Sequence, residues 1–126
     1  MSKKETCHFW VGQVPENIAG NYFVETYNED CEDEPISSFA RDQGVTWYDH
    51  DFLEYGRGTA DTIQDLVAPY SYSDQWAAEL ARRVAEAGLF SINFFAFINQ
   101  DEIESPQSVV GNVYWLRYMG TIEYDI

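Results

Sequence analysis

Apolar residues follow strand patterns at both ends of the chain. Residues 6–14, TCHFWVGQV, are mostly β-branched or aromatic and predict a first strand. Residues 90–98, FSINFFAFI, are apolar on both faces, as expected for a central strand that helices cover. Residues 109–124 also have strand character but are too long for one simple strand. Gly111 or Gly120 is therefore expected to mark a turn or a bulge.

Two other stretches repeat apolar residues at helical spacing. Pro15 opens the first, since proline suits the start of a helix, and Glu16 complements the helix dipole. The second is the clearest helix of the chain, with Ser73 as its expected cap and Gly88 at its C-terminal end. Its apolar stripe consists of Trp76, Ala77, Leu80, Ala81, Val84 and Ala87.

Shorter elements are expected between these two helices. One helix begins near Ser37 or Ser38, and another is capped by Thr59 or Asp61. Residues 45–55 are predicted to bend and continue as a short strand. This order of elements predicts an α+β fold, a single domain over residues 1–126. Its mostly antiparallel sheet has about four to five strands packed with about three to four helices.

Composition and charge narrow the possible functions. The 126 residues are 45% hydrophobic and 17% aromatic, which predicts a folded core and not a disordered acidic chain. There are 22 acidic residues against seven basic ones, a net charge of −15. Nucleic acid is disfavoured as a direct ligand, because phosphates are bound by clusters of Lys and Arg. A basic protein partner fits this charge, although an acidic surface can also serve solubility alone.

The chain shows no signal for a membrane or for secretion. No stretch approaches 18 apolar residues, and residues 1–5 lead straight into the first strand without a signal-peptide pattern. The expected location is the cytoplasm, where Cys7 and Cys31 would be free thiols.

Residues 28–34, NEDCEDE, hold five acidic residues and invite comparison with a calcium loop. An EF-hand loop that began at Asn28 would need Gly at its sixth position and Glu at its twelfth. Asp33 and Phe39 occupy those positions, so the loop lacks both the sharp turn and the bidentate ligand. A calcium site is therefore not predicted here.

Catalytic and metal-binding patterns are also weak. Cys7 and His8 are adjacent, so on a strand they point to opposite faces and do not easily share an ion. His50 lies between Asp49 and Asp51, an arrangement more typical of a solvated histidine than of a ligand. No phosphate-binding loop or nucleophile elbow is present. The chain is predicted to use no cofactor and to be no enzyme; a small hydrolase or metal-dependent enzyme that uses His50 stays an alternative.

Binding is better supported, because acidic residues occur beside aromatic ones. Carboxylates attract Lys and Arg, while aromatic rings provide anchors at interfaces. We expect Tyr27 and Tyr48 to be aromatic anchors, whereas Phe52 and Leu53 are expected in the core. The predicted partner-binding residues are Tyr27, Glu29, Asp30, Glu32, Asp33, Tyr48, Asp49, Asp51 and Glu54. The alternative is that these carboxylates are ordinary solvated charges.

Four short blocks of the chain resemble one known family. HFWVG, at residues 8–12, is followed by a proline-led helix and ETYNED; YDHDFLE, YSYSDQW and YMGTIEYDI follow in order. Together these blocks resemble the immunity protein 22 family of bacterial polymorphic toxin systems. The tryptophan and glutamate positions that characterise the family are best matched by Trp10 and Glu54, with Glu25 as another match.

The resemblance implies an α+β immunity protein that binds and neutralises a cognate toxin. Such a protein would be made in the cytoplasm and encoded near its toxin or in an array of immunity genes. A nuclease toxin would suit an acidic inhibitor, because its phosphate-binding cleft is basic. The alternative binding function is that of an acidic DNA mimic or regulatory protein.

Overall fold

A five-stranded antiparallel sheet organises the protein, with helices on both of its faces. The computed structural model describes residues 3–27 and 34–126. The strands are β1 (Lys4–Gln13), β2 (Leu53–Arg57), β3 (Phe94–Asn99), β4 (Val109–Val110) and β5 (Trp115–Asp125). The α-helices are α1 (Glu16–Tyr22), α2 (Ser38–Asp42), α3 (Ile63–Val67) and α4 (Ser73–Glu86), with short 3-10 turns at His50–Phe52 and Gln100–Glu102. The predicted α+β class and antiparallel sheet are confirmed.

The strand order is β2-β3-β1-β5-β4, so the two most apolar strands, β3 and β1, lie inside the sheet. Alternation along β1 sends Phe9 to one face and Trp10 to the other. On the first face, Phe9 packs with Trp76 of α4, and on the second, Trp10 packs with Phe39 of α2. Each face therefore has its own buried cluster, and β2 is left at one edge of the sheet.

The helix starts show where the predicted caps are right and where they are wrong. Ser37 caps α2, because its side chain accepts a hydrogen bond from the backbone N–H of Ala40. Thr62 caps α3 in the same way, so the predicted caps Thr59 and Asp61 are wrong. Tyr72, in the left-handed region at φ 57°, stands at the cap of α4 in place of Ser73. The hydroxyl of Ser73 donates back to Ala68 O instead.

Both glycines expected to interrupt the strand in residues 109–124 do so, Gly111 at a turn and Gly120 at a bulge. Gly111 N donates to Tyr114 O and closes the turn between β4 and β5. Gly120 has φ +91° and lies where the register between β1 and β5 shifts. The carbonyl groups on either side of Gly120 accept hydrogen bonds from Arg83 Nη1, at 3.0 Å for Met119 and 2.8 Å for Thr121. Arg83 thus joins α4 to the bulge.

Replacing Arg83 with methionine is expected to lower the free energy of unfolding by about 1–2 kcal/mol, because two backbone carbonyls lose a charged donor. Arg82→Met is the matched control. The Arg82 guanidinium hydrogen-bonds Glu79 and Glu86 along the exposed side of α4, where ion pairs contribute little. Urea unfolding of both variants measures the difference. An equal loss of stability in the two variants would contradict the role given to the bulge.

Candidate partner-binding surface

An exposed group of polar side chains surrounds His50, at the end of the loop that leads into β2. His50 Nδ1 lies 3.2 Å from Glu25 Oε2, and His50 Nε2 lies 3.4 Å from Asp51 Oδ1. The hydroxyl of Tyr27 donates to Glu25 Oε1 at 2.9 Å, and this hydrogen bond is the main reason that the pKa of Tyr27 is raised. Two segments distant in sequence, residues 25–27 and 49–51, therefore form one surface.

Backbone hydrogen bonds hold these two segments side by side. Thr26 N donates to Ile36 O at 2.7 Å, and Ile36 N donates to Thr46 O at 3.0 Å. The loop is then fixed at Asp49, whose N–H donates to Glu102 Oε1 at 2.7 Å. The carboxylate of Asp49 caps the 3-10 turn by accepting from the backbone N–H of Asp51. The carboxylates are thus arranged by the fold before any partner arrives.

Exposed aromatic rings lie on these two segments or close to them in sequence. Tyr27 is 61% exposed and Trp47 is 58% exposed, which is unusual for such large side chains. Tyr55, on β2, stacks on the buried ring of Phe23 with centroids 4.0 Å apart and leaves its outer side to solvent. We call the whole set the aromatic–acidic surface: Glu25, Tyr27, Trp47, Asp49, His50, Asp51, Phe52 and Tyr55.

Phe52 corrects one prediction, because its side chain is 49% exposed and does not lie in the core. The 3-10 turn at His50–Phe52 places Phe52 before the regular alternation of β2 begins. Leu53, the first residue of β2, does pack against the buried cluster, as predicted.

Tyr48 is the second correction, since it is not available as an aromatic anchor. Its side chain is 1% exposed and packs edge-on against Phe39. The Tyr48 hydroxyl lies 3.0 Å from Ser37 Oγ, and burial raises the pKa of Tyr48 to about 12. The aromatic residue of this loop that faces solvent is its neighbour Trp47.

Glu54 lies apart from the aromatic–acidic surface. Along β2, Leu53 and Tyr55 face the helices α1 and α2, so Glu54 faces the opposite side of the sheet. There its carboxylate accepts a hydrogen bond from Ser71 N at 3.1 Å, in the connection between α3 and α4. The structure therefore does not bring Glu54 together with Asp49 and Asp51, and its role in partner binding stays a prediction.

Trp10, the other family-pattern residue, is fully buried. Its indole Nε1 donates to Gln107 O at 3.0 Å, and its ring contacts Phe39 and Tyr118. The family-pattern positions Trp10 and Glu54 therefore both make internal contacts in this fold. Glu25, the further match, is the one that belongs to the aromatic–acidic surface.

Four predicted partner-binding residues lie outside the described residues: Glu29, Asp30, Glu32 and Asp33. Their role stays a prediction. The chain enters that segment at Tyr27 and leaves it at Glu34, whose near neighbours Thr26 and Ile36 are hydrogen-bonded to each other.

The residues weighed for catalysis or metal binding lie apart from one another in the fold. The side chain of His50 is 60% exposed, whereas the hydrolase hypothesis required it in a closed pocket with a thiol or an acid. Cys7 is buried beneath α4 with Sγ 3.4 Å from the Tyr124 hydroxyl, and burial raises its pKa to about 12. His8 points to the other face and contacts the Tyr118 hydroxyl at 2.7 Å. Within residues 3–27 and 34–126, no group of three or more His, Cys, Asp or Glu side chains is arranged so that it could hold a metal ion.

Comparison with known proteins gives one match. The family described as Immunity protein 22 matches residues 7–125, which include all the α-helices described above and all the strands except the first three residues of β1. No curated protein and no solved structure gave a significant match. Among the described residues, no helix combines the length and the apolar character needed to cross a membrane.

Proposed function

The chain belongs to the immunity protein 22 family, and from this premise we propose that it binds a cognate bacterial toxin in the cytoplasm and neutralises it. The family match over residues 7–125 is the observation that carries this proposal, and it agrees with the resemblance inferred from the sequence. Neutralisation needs no catalytic group, since a bound protein that covers the functional face of a toxin is sufficient.

The aromatic–acidic surface is the contact region that the geometry favours. It combines exposed rings with carboxylates, of which those of Glu25 and Asp49 are positioned by hydrogen bonds, and the chain as a whole carries a net charge of −15. Opposite charge accelerates encounter and selects the partner, while buried aromatic rings provide most of the affinity. The proposed partner is therefore a toxin with a basic functional face, and a toxin that acts on nucleic acid has such a face.

Co-expression tests this function. The toxin gene that lies beside the immunity gene is induced in a sensitive bacterial host, with and without the full chain. We expect the chain to restore growth and to form a complex with the purified toxin domain. A toxin domain from an unrelated system is the control and is expected to stay lethal. Continued killing by the neighbouring toxin in the presence of folded chain would overturn the proposal.

A further inference from the structure

Phe90 lies on the connection between α4 and β3. It is 80% exposed to solvent, the highest value among the aromatic residues that the structure describes. Backbone and side-chain hydrogen bonds fix this connection at both ends. Leu89 N donates to Val84 O at 3.2 Å, and Asn93 N donates to Gly12 O at 3.0 Å. Gln13 Nε2 donates to Ser91 O at 2.8 Å. The ring of Phe90 is therefore held outward by an ordered loop.

Ser91 explains how the loop exposes Phe90. Its φ of 59° lies in the left-handed region, which a non-glycine residue rarely adopts. Leu89 and Ile92, on either side, pack against the buried cluster beneath α4. The left-handed residue lets both of these side chains face inward while Phe90 faces solvent. Strain of this kind is concentrated at functional sites, which makes the loop a candidate for one.

A groove lies beside this ring. It has a volume of about 570 Å³ and runs between the start of α3, the last turns of α4 and the loop that carries Phe90. Its apolar lining includes Ile63, Ala81, Val84 and Leu89. A neighbouring depression of about 660 Å³ adjoins it at residues 58–61 and 91–93. The charged residues that line the two are both acidic, Asp61 and Asp65.

We infer that this groove is a second docking site for the toxin, which receives a basic segment carrying an apolar side chain. The apolar side chain would enter the groove, and a Lys or Arg beside it would contact Asp61 and the face of Phe90. This inference rests on the proposed function. It adds a contact site whose lining is apolar, unlike the carboxylates around His50.

The groove and the aromatic–acidic surface lie on opposite faces of the sheet, and both are close to its edge strand β2. The part of the aromatic–acidic surface around His50 precedes Leu53, at one end of β2, whereas the depression beside the groove begins at Gly58 and the groove at Ala60, past the other end. The five residues of β2 span roughly 17 Å, which is well within the width of a standard protein interface. A single toxin domain that contacts both sites therefore spans the edge of the sheet formed by β2.

Two substitutions test the groove with the full chain and the purified cognate toxin domain. Phe90→Ala removes the ring, and Ala85→Lys places a long cation at an exposed position of the groove wall. Each is expected to weaken toxin binding by at least about 30-fold, the threshold of an interface hot spot, as measured by titration calorimetry. Val110→Ala, at an exposed apolar position on the opposite edge of the sheet, is the control and should bind like the unmodified chain.

Amide NMR spectra of the labelled chain provide an independent readout. Addition of the toxin domain is expected to shift the signals of Ala85 and residues 89–92. If the unmodified chain binds toxin but both variants bind equally well and these signals stay in place, the groove inference is wrong and the proposed function stands. If the unmodified chain does not bind the toxin at all, the proposed function is itself wrong. If Phe90→Ala instead converts a dimer of the chain to a monomer, the occupant is a second copy and the inference is overturned.

Discussion

Replacing Trp10 with alanine is expected to lower the free energy of unfolding by about 3–5 kcal/mol, the cost of removing a large buried ring from a packed core. Trp10 is fully buried, contacts Phe39 edge-on at 5.2 Å between centroids, and lies 5.4 Å from the ring of Tyr118. The change also leaves Gln107 O without its indole donor. Trp10→Ala should therefore abolish protection against the toxin through loss of folded protein.

Trp47→Ala is the matched control, because Trp47 is the same residue type on the exposed part of the aromatic–acidic surface. We expect this variant to unfold at nearly the same urea concentration as the unmodified chain, and to show any defect in toxin binding instead. Urea denaturation followed by circular dichroism separates the two effects. A Trp10→Ala variant that is fully stable but fails to bind would show that the family-pattern tryptophan acts in recognition and not in packing.

The central strands and the long helix could be predicted from the sequence because each carries a complete local pattern. In β3, five consecutive apolar residues are buried, so both faces of the strand are covered. A short run of this kind is typical of a central strand, because there the side chains on both faces are buried. In α4, Trp76, Leu80 and Val84 form the buried stripe at the predicted spacing. The N-cap of α4 was predicted wrongly because the left-handed Tyr72 starts the helix without a side-chain cap, and no residue type signals that conformation.

The candidate surface was harder to predict because its contacts join segments distant in sequence. Glu25 and His50 have 24 residues between them in sequence, and they meet because hydrogen bonds align Thr26, Ile36 and Thr46. Trp47 and Tyr48 illustrate the same difficulty within one dipeptide. In an irregular loop no fixed alternation determines which ring is buried, and here the partner of Tyr48 is the distant Ser37.

A variant that combines Glu25→Gln with Asp51→Lys is expected to bind the cognate toxin about a hundredfold more weakly, or about 3 kcal/mol. Asp51 has a side chain that is 80% exposed, so its reversal changes the field of the surface without disturbing the core. Glu25 is less exposed and hydrogen-bonds Tyr27, and glutamine keeps an oxygen there to accept that bond. The stability of the fold should therefore change little while the attraction for a basic partner is lost.

The control carries the same total change in charge at other places. Asp74→Lys combined with Asp125→Asn alters exposed carboxylates of α4 and β5, outside the aromatic–acidic surface. This control variant should retain most of the affinity for the toxin. At physiological salt, screening limits the range of a surface charge's electrostatic interaction to about 8 Å. Association rates measured at low and high salt complete the test: the unmodified chain should slow strongly with salt, and the Glu25→Gln, Asp51→Lys variant much less. Equal affinities for the two charge variants would mean that net charge, and not the carboxylates around His50, attracts the toxin.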